Sequence, residues 1–106
     1  MKKILFLTLA LVLTGYSLNS YAQRLDEWIT GHVMDKSSGA AIPNVDVVLK
    51  GTIIGTKTDT EGNYKIFIPS NAVNPTLVFV IPGYIPQEQL IGDQEEINVS
   101  LEPTII

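Results

Sequence analysis

His32 is the only histidine in the chain, and there is no cysteine. A histidine works as a general base only beside a nucleophile that it can orient. Ser37, Ser38, Ser70 and Ser100 stand in turn clusters or at an outward strand position, and none sits in a nucleophile motif. Asp59, Glu61 and Asn63 alternate within one turn and could present oxygens to Ca²⁺. Calcium takes six to eight oxygens, and the full Asp-x-Asp-x-Asp-Gly loop with its distal Glu is missing. The three are weak metal candidates and better turn formers, with Asp59 placed to cap backbone N–H groups. Glu95 and Glu96 are adjacent, so strand alternation sends them to opposite sides and they read as a solvated strand start, not an acid/base pair. Lys50, Lys57 and Lys65 fall on three different strands and read as solvated edge charges. Asn98-Val99-Ser100 matches a glycosylation sequon by spacing alone. Trp28, Phe67 and Tyr84 could together offer planar rings to a sugar. No catalytic, cofactor-binding or firm metal-binding set emerges, which points to binding, docking or spacing instead of catalysis.

The elements that would position these residues begin after a targeting segment. Met1-Lys2-Lys3 is a positive start, Ile4 to Leu13 is apolar apart from Thr8, and Ser20-Tyr21-Ala22 has small residues where a signal peptidase requires them. The apolar run is short of the ~20 residues of a membrane-spanning helix. Residues 1–22 therefore read as a signal peptide and the chain as exported. No cysteine is available for a lipid anchor. Removing 22 of 106 residues leaves 84, one small domain that no disulfide can staple. Without Lys2 and Lys3 the balance is five Lys and Arg against eleven Asp and Glu, or −6. That acidity, with its bases scattered, argues against nucleic acid and against docking on anionic lipid.

Residues 23–28 read as a flexible lead-in. From Ile29 the pattern alternates, with Ile29, Gly31 and Val33 on one side and Thr30, His32 and Met34 on the other. Val45, Val47 and Leu49 share a face. Ile53 to Thr58 is a short or bulged strand, and Asp59 to Asn63 is a turn in which Gly62 supplies the left-handed residue. Tyr64, Ile66 and Ile68 point inward, and Phe67 outward. From this order Val45 to Ile68 is expected to form an antiparallel meander. Thr76 to Ile81 is apolar on both faces, either a central strand covered on two sides or one whose second face serves a partner. Pro86 places the segment from Tyr84 to Ile91 at an edge. Ile97, Val99 and Leu101 form a last strand, and residues 103–106 an apolar tail. About seven short strands with turn signals between them predict an all-β, antiparallel β-sandwich of prealbumin-like or immunoglobulin-like kind.

Several residues then stand in a familiar order: Gly31-x-Val33-x-Asp35, Gly39, Pro43, Val45 and Val47, Lys50-Gly51-Thr52, Gly55-Thr56, Thr58-Asp59, Gly62-Asn63-Tyr64, Gly83-Tyr84 and Val99-x-Leu101. This set, spanning 29–102, resembles the carboxypeptidase regulatory-like domain family, whose fold is similar to transthyretin. The chain looks most like the copy at the N-terminus of TonB-dependent outer-membrane transporters of the starch-utilisation type. The resemblance implies a non-enzymatic periplasmic domain associated with the cell outer membrane. Its partners would be the rest of such a transporter or a TonB-type energy-transducing protein, and no cofactor is implied. In those proteins a TonB box and plug would follow near Ile106, and the apolar end Thr104-Ile105-Ile106 favours a piece of a transporter. A free-standing exported module for glycan binding or adhesion is the alternative. Transthyretin-like hydrolases of purine breakdown use several histidines and an arginine, whereas this chain has His32 and, in its lead-in, Arg24. The outward apolar or aromatic positions expected to dock a partner are His32, Val48, Phe67, Val78 and Val80.

Overall fold

The computed structural model describes residues 26–105. The segment expected to be a signal peptide (residues 1–22), Arg24 and Ile106 lie outside the described residues. Seven strands are present among them: β1 (Glu27–Asp35), β2 (Asp46–Leu49), β3 (Gly55–Lys57), β4 (Asn63–Ile68), β5 (Thr76–Val80), β6 (Gln87–Leu90) and β7 (Val99–Leu101). They form two sheets, ordered β4-β1-β7 and β3-β2-β5-β6. The inward residues are those the alternation selects. Ile29 and Val33 of β1, Val47 and Leu49 of β2, Tyr64, Ile66 and Ile68 of β4, Leu77 and Phe79 of β5, and Val99 and Leu101 of β7 are all buried. Burying these apolar side chains between two sheets is the main force holding a domain without disulfides together. Tyr64 and Phe79 meet across the core edge to face, with ring centroids 5.6 Å apart.

The sandwich is as expected, and four details of its wiring differ. Four strand pairings are antiparallel, but β7 runs parallel to β1, with Val33 opposite Val99 and Asp35 opposite Leu101. The chain reaches β7 after leaving β6 in the other sheet, so it enters alongside the second half of β1 in the same direction. The meander is also interrupted. β2 and β3 form a hairpin, whereas β4 pairs with β1 in the opposite sheet. The turn at 59–62 is thus a corner between sheets, not a hairpin within one. Buried Thr58 anchors that corner: its hydroxyl donates to the Ile42 carbonyl at 2.7 Å and accepts from the Val45 amide at 2.9 Å. Side-chain alternation could not reveal this, because β4 keeps the same inward set whichever sheet it joins.

The remaining two differences concern boundaries. Glu27 and Trp28 are already paired, with Ile68 and Phe67, so β1 begins inside the expected lead-in. Pro103 pairs with Tyr84 across an isolated bridge. The Thr104 amide donates to the Gly83 carbonyl at 2.9 Å, so the expected tail starts as part of the fold. Pro86 does mark an edge, since β6 is the outer strand of its sheet. β5 is central in that sheet, with Leu77 and Phe79 inward and Val78 and Val80 outward. Among the described residues no further layer covers that outward side.

Candidate functional site

The five residues expected to dock a partner divide between two opposite surfaces. Directly paired residues share a face of a sheet. On the β4-β1-β7 sheet, Trp28 is opposite Phe67, Thr30 opposite Lys65 and His32 opposite Asn63. His32 and Phe67 therefore lie on this face. On the other sheet, Val48 is opposite Val78 and Asp46 opposite Val80, which gathers Val48, Val78 and Val80. A core about 10 Å thick separates the two outward faces, so no single flat partner touches all five.

The valine face has a polar fence. Lys57 meets its cross-strand partner Asp46 at 2.6 Å, and Lys50 meets Glu88 at 2.9 Å. All four side chains are more than half exposed, so each pair contributes little to stability, in the range of about 0–1 kcal/mol. Their effect is local: each lysine is held by a carboxylate. Gly55 stands opposite Val48 and contributes no side chain, which leaves a shallow open depression of about 270 Å³ between Asp46, Val48, Ile53 and Lys57. The Ile53 side chain at its rim is fully exposed.

The other face is aromatic at one end and polar at the other. Trp28 and Phe67 pack edge to face with centroids 5.3 Å apart. The Lys65 ammonium lies 4.9 Å from the centre of the Trp28 ring, a cation–π distance. The three lysines thus form no stripe, since two belong to the ion-paired face and the third to the aromatic one. Tyr84 does not join the aromatic pair. Its hydroxyl donates to Asp35 Oδ2 at 2.7 Å, at the far end of β1 from Trp28.

The Asp59 turn is built as a cap. One carboxylate oxygen of Asp59 accepts from the amides of Glu61 and Asn63, at 3.0 and 2.9 Å. The Gly62 amide closes the turn on the Asp59 carbonyl at 2.9 Å. No group of three acidic, histidine or cysteine side chains is arranged to hold a metal among the described residues. Glu96 pairs with Thr30 across a parallel bridge. The side chain of Asn98 in the sequon accepts the His32 amide at 3.0 Å.

Two hydrogen-bonded pairings were not expected from the sequence. Asp35 receives the amides of Ser37 and Ser38 on one oxygen and the Tyr84 hydroxyl on the other. The Tyr84 hydroxyl, followed by the Ser38 amide, holds the Asp35 carboxyl below the usual carboxylate range, and the same bond raises the Tyr84 phenol. Tyr64 is buried with its hydroxyl 2.7 Å from the Ile97 carbonyl, and burial first, then the charge of Glu96, pushes its phenol well up. A tyrosine after Gly-Asn and another after Gly were visible signals, but not their distant partners.

Two packed β-sheets with differently surfaced outer faces define a β-sandwich module. It belongs to the CarboxypepD_reg-like domain family, whose model matches residues 29–105. The chain is 32% identical over 102 residues to TonB-dependent receptor P3 of Formosa agariphila, which covers 96% of this chain and 9% of the receptor. It is also 32% identical over 106 residues to TonB-dependent receptor SusC of Bacteroides thetaiotaomicron, covering 96% of this chain and 10% of that protein. The chain therefore spans about a tenth of the length of the curated relatives it matches. Among solved structures, a chain of a type II cohesin–X-dockerin complex from Acetivibrio cellulolyticus has a TM-score of 0.54 at 18% identity. That likeness covers 69% of this chain and 52% of the other, and bears on the fold alone.

Proposed function

We propose that this chain is the periplasmic N-terminal domain of a TonB-linked outer-membrane nutrient transporter, and that it docks and spaces without performing catalysis. The observation that carries the reading is the similarity to TonB-dependent receptors along 96% of the chain but only 9–10% of theirs. The signal peptide expected at residues 1–22 supports a periplasmic location.

Docking by the valine face fits the sandwich better than docking by a strand edge. β3 and β7 are only three residues long, Lys57 lies on β3, β6 follows Pro86, and β4 carries Lys65. Short edges with lysine or proline are the devices by which sheets discourage a further strand. Val48, Val78 and Val80 instead form an apolar patch flanked by two ion pairs, Lys57–Asp46 and Lys50–Glu88. The partner expected there is the remainder of the transporter or the energy-transducing protein, meeting the valines with apolar side chains.

The test separates the two faces in a complete receptor that carries this domain. Val78→Asp with Val48→Asp should lower nutrient uptake at unchanged receptor abundance, while Phe67→Asp should leave it close to normal. Uptake that survives loss of the valine face removes this docking surface. Uptake that survives deletion of the whole domain removes the docking function.

A further inference from the structure

We propose that the outward face of the β4-β1-β7 sheet binds a neutral glycan, with Trp28 as the stacking platform and Lys65, Thr30 and Glu96 as the adjoining hydrogen-bonding row. Trp28 is 55% exposed near the start of β1 yet paired with Phe67 of β4, at a solvent-facing position of the kind that ordinarily carries a polar side chain. Its ring forms an edge-to-face pair with Phe67 at 5.3 Å, and the Lys65 ammonium lies over it at 4.9 Å. A ring oriented before binding loses little freedom when a ligand stacks on it.

The neighbouring rows decide what kind of ligand suits the ring. Next to the aromatic pair comes Lys65, Thr30 and Glu96, a donor, a hydroxyl and an acceptor side by side across three segments. Beyond it come Asn63 and His32, with Asn98 bonded to the His32 amide. Successive rows on one face are about 6.8 Å apart, a step comparable to one sugar ring. An apolar plane followed by a row of donors and acceptors complements a molecule with C–H faces and hydroxyl edges. Lys65 and Glu96 cancel, so the row has no net charge, and the chain as a whole is at −4. Neutral sugars are therefore favoured over uronic or sulfated ones, and over nucleic acid.

A second copy of the chain is the main competitor, and the aromatic patch is too small for it. A stable interface buries about 800 Å² on each partner, whereas a Trp and a Phe each bury at most about 150–250 Å² when wholly covered. This site stands independently of the transporter reading, because it uses the opposite face of the sandwich.

Trp28 is the only tryptophan, so its fluorescence reports on the site directly. The full exported chain is titrated with maltohexaose, cellohexaose, laminarihexaose and xylohexaose, with polygalacturonate and heparin as anionic probes. At least one neutral hexasaccharide should quench or shift the emission at micromolar to millimolar concentration, and the anionic probes should not. By calorimetry Trp28→Ala should abolish that binding, and Phe67→Ala should weaken it several-fold, with both variants folded by circular dichroism. Val73→Asp, at an exposed position in the loop between β4 and β5, should bind as the parent does. No response to any neutral probe overturns the proposal, as does binding that survives Trp28→Ala. Concentration-dependent self-association lost in Trp28→Ala would also overturn it and assign the face to a second copy.

Discussion

The Tyr64 hydroxyl donates to the Ile97 carbonyl at 2.7 Å, reaching from β4 across β1 to the segment that leads into β7. It passes directly over Gly31, its cross-strand partner. A Cβ at position 31 would come within 1.9 Å of the Ile97 oxygen and 2.6 Å of the Tyr64 ring. Here the glycine is required by close approach and not by an unusual φ. One bond thus ties together all three strands of a sheet whose outer members pair with β1 in opposite directions.

Gly31→Ala is accordingly expected to destabilise the domain by roughly 2–4 kcal/mol, since the obstruction is a carbonyl and a packed ring with little room to yield. Tyr64→Phe should cost about 1–2 kcal/mol, the value of a buried hydrogen bond whose acceptor is left behind. Urea denaturation of each variant measures both. Because the two residues touch, the double variant should depart from additivity; strict additivity would mean that Gly31 is required for some other reason.

Thr58 offers a second test, at the corner where the chain changes sheets. Thr58→Val preserves shape but strands the Ile42 carbonyl and the Val45 amide, which now share the hydroxyl. A loss of about 2 kcal/mol is expected, whereas Thr58→Ser keeps both bonds and should cost less than about 1 kcal/mol by the same reasoning. Thr58→Val as the milder of the two would assign the stability of the corner to the methyl group and not to the hydroxyl.

Gly62 combines both demands that a glycine can meet. Its φ is +80°, and a Cβ there would stand 2.6 Å from the Val33 carbonyl. That carbonyl belongs to β1, whose Val33 amide in turn donates to the Gly62 carbonyl at 2.8 Å. Gly62→Ala should cost at least about 1–2 kcal/mol from the left-handed conformation alone, with the close contact adding to it. Asp59→Ala, which removes the cap on two amides, should cost about 1 kcal/mol. Thermal unfolding ranks them, and Asp59→Ala as the more damaging of the pair would contradict this account.

These contacts explain how far the sequence could be read. The alternation at Ile29 and Val33, at Tyr64, Ile66 and Ile68, and at Val99 and Leu101 gave the inward faces correctly, because burial depends on local period alone. The choice of sheet for β4 and the direction of β7 depend on Thr58, Gly62 and the Tyr64–Ile97 bond, whose partners are far apart in the chain. The ordered residues that carry the family resemblance are in large part these same contacts. Gly31 faces Tyr64, Asp35 accepts from Tyr84, Gly62 abuts Val33, and Thr58 anchors the corner. Their order was legible, but their pairing was not. The positions expected to dock a partner are legible as outward residues one by one, whereas their division between two faces depends on the strand order.

The two tyrosines predict opposite ends of the pH profile. Tyr64 has its phenol raised by burial, so the folded state favours the neutral ring. Stability from this group is full below the ordinary value of 10.0 and is lost as pH climbs toward the raised folded value. Tyr64→Phe should therefore flatten the alkaline fall in urea midpoint between about pH 9 and 11. Asp35 is lowered from 3.8, chiefly by the Tyr84 hydroxyl, so its contribution is present above that value and disappears as pH falls through the depressed one. Tyr84→Phe removes the leading cause and should move the Asp35 titration, followed by carboxyl NMR shifts, back up toward 3.8. The Ser37 and Ser38 amides still face Asp35 in that variant, so the return should be partial. An unmoved Asp35 titration would show that the amides of the turn, and not the tyrosine, hold the carboxylate in its charged form.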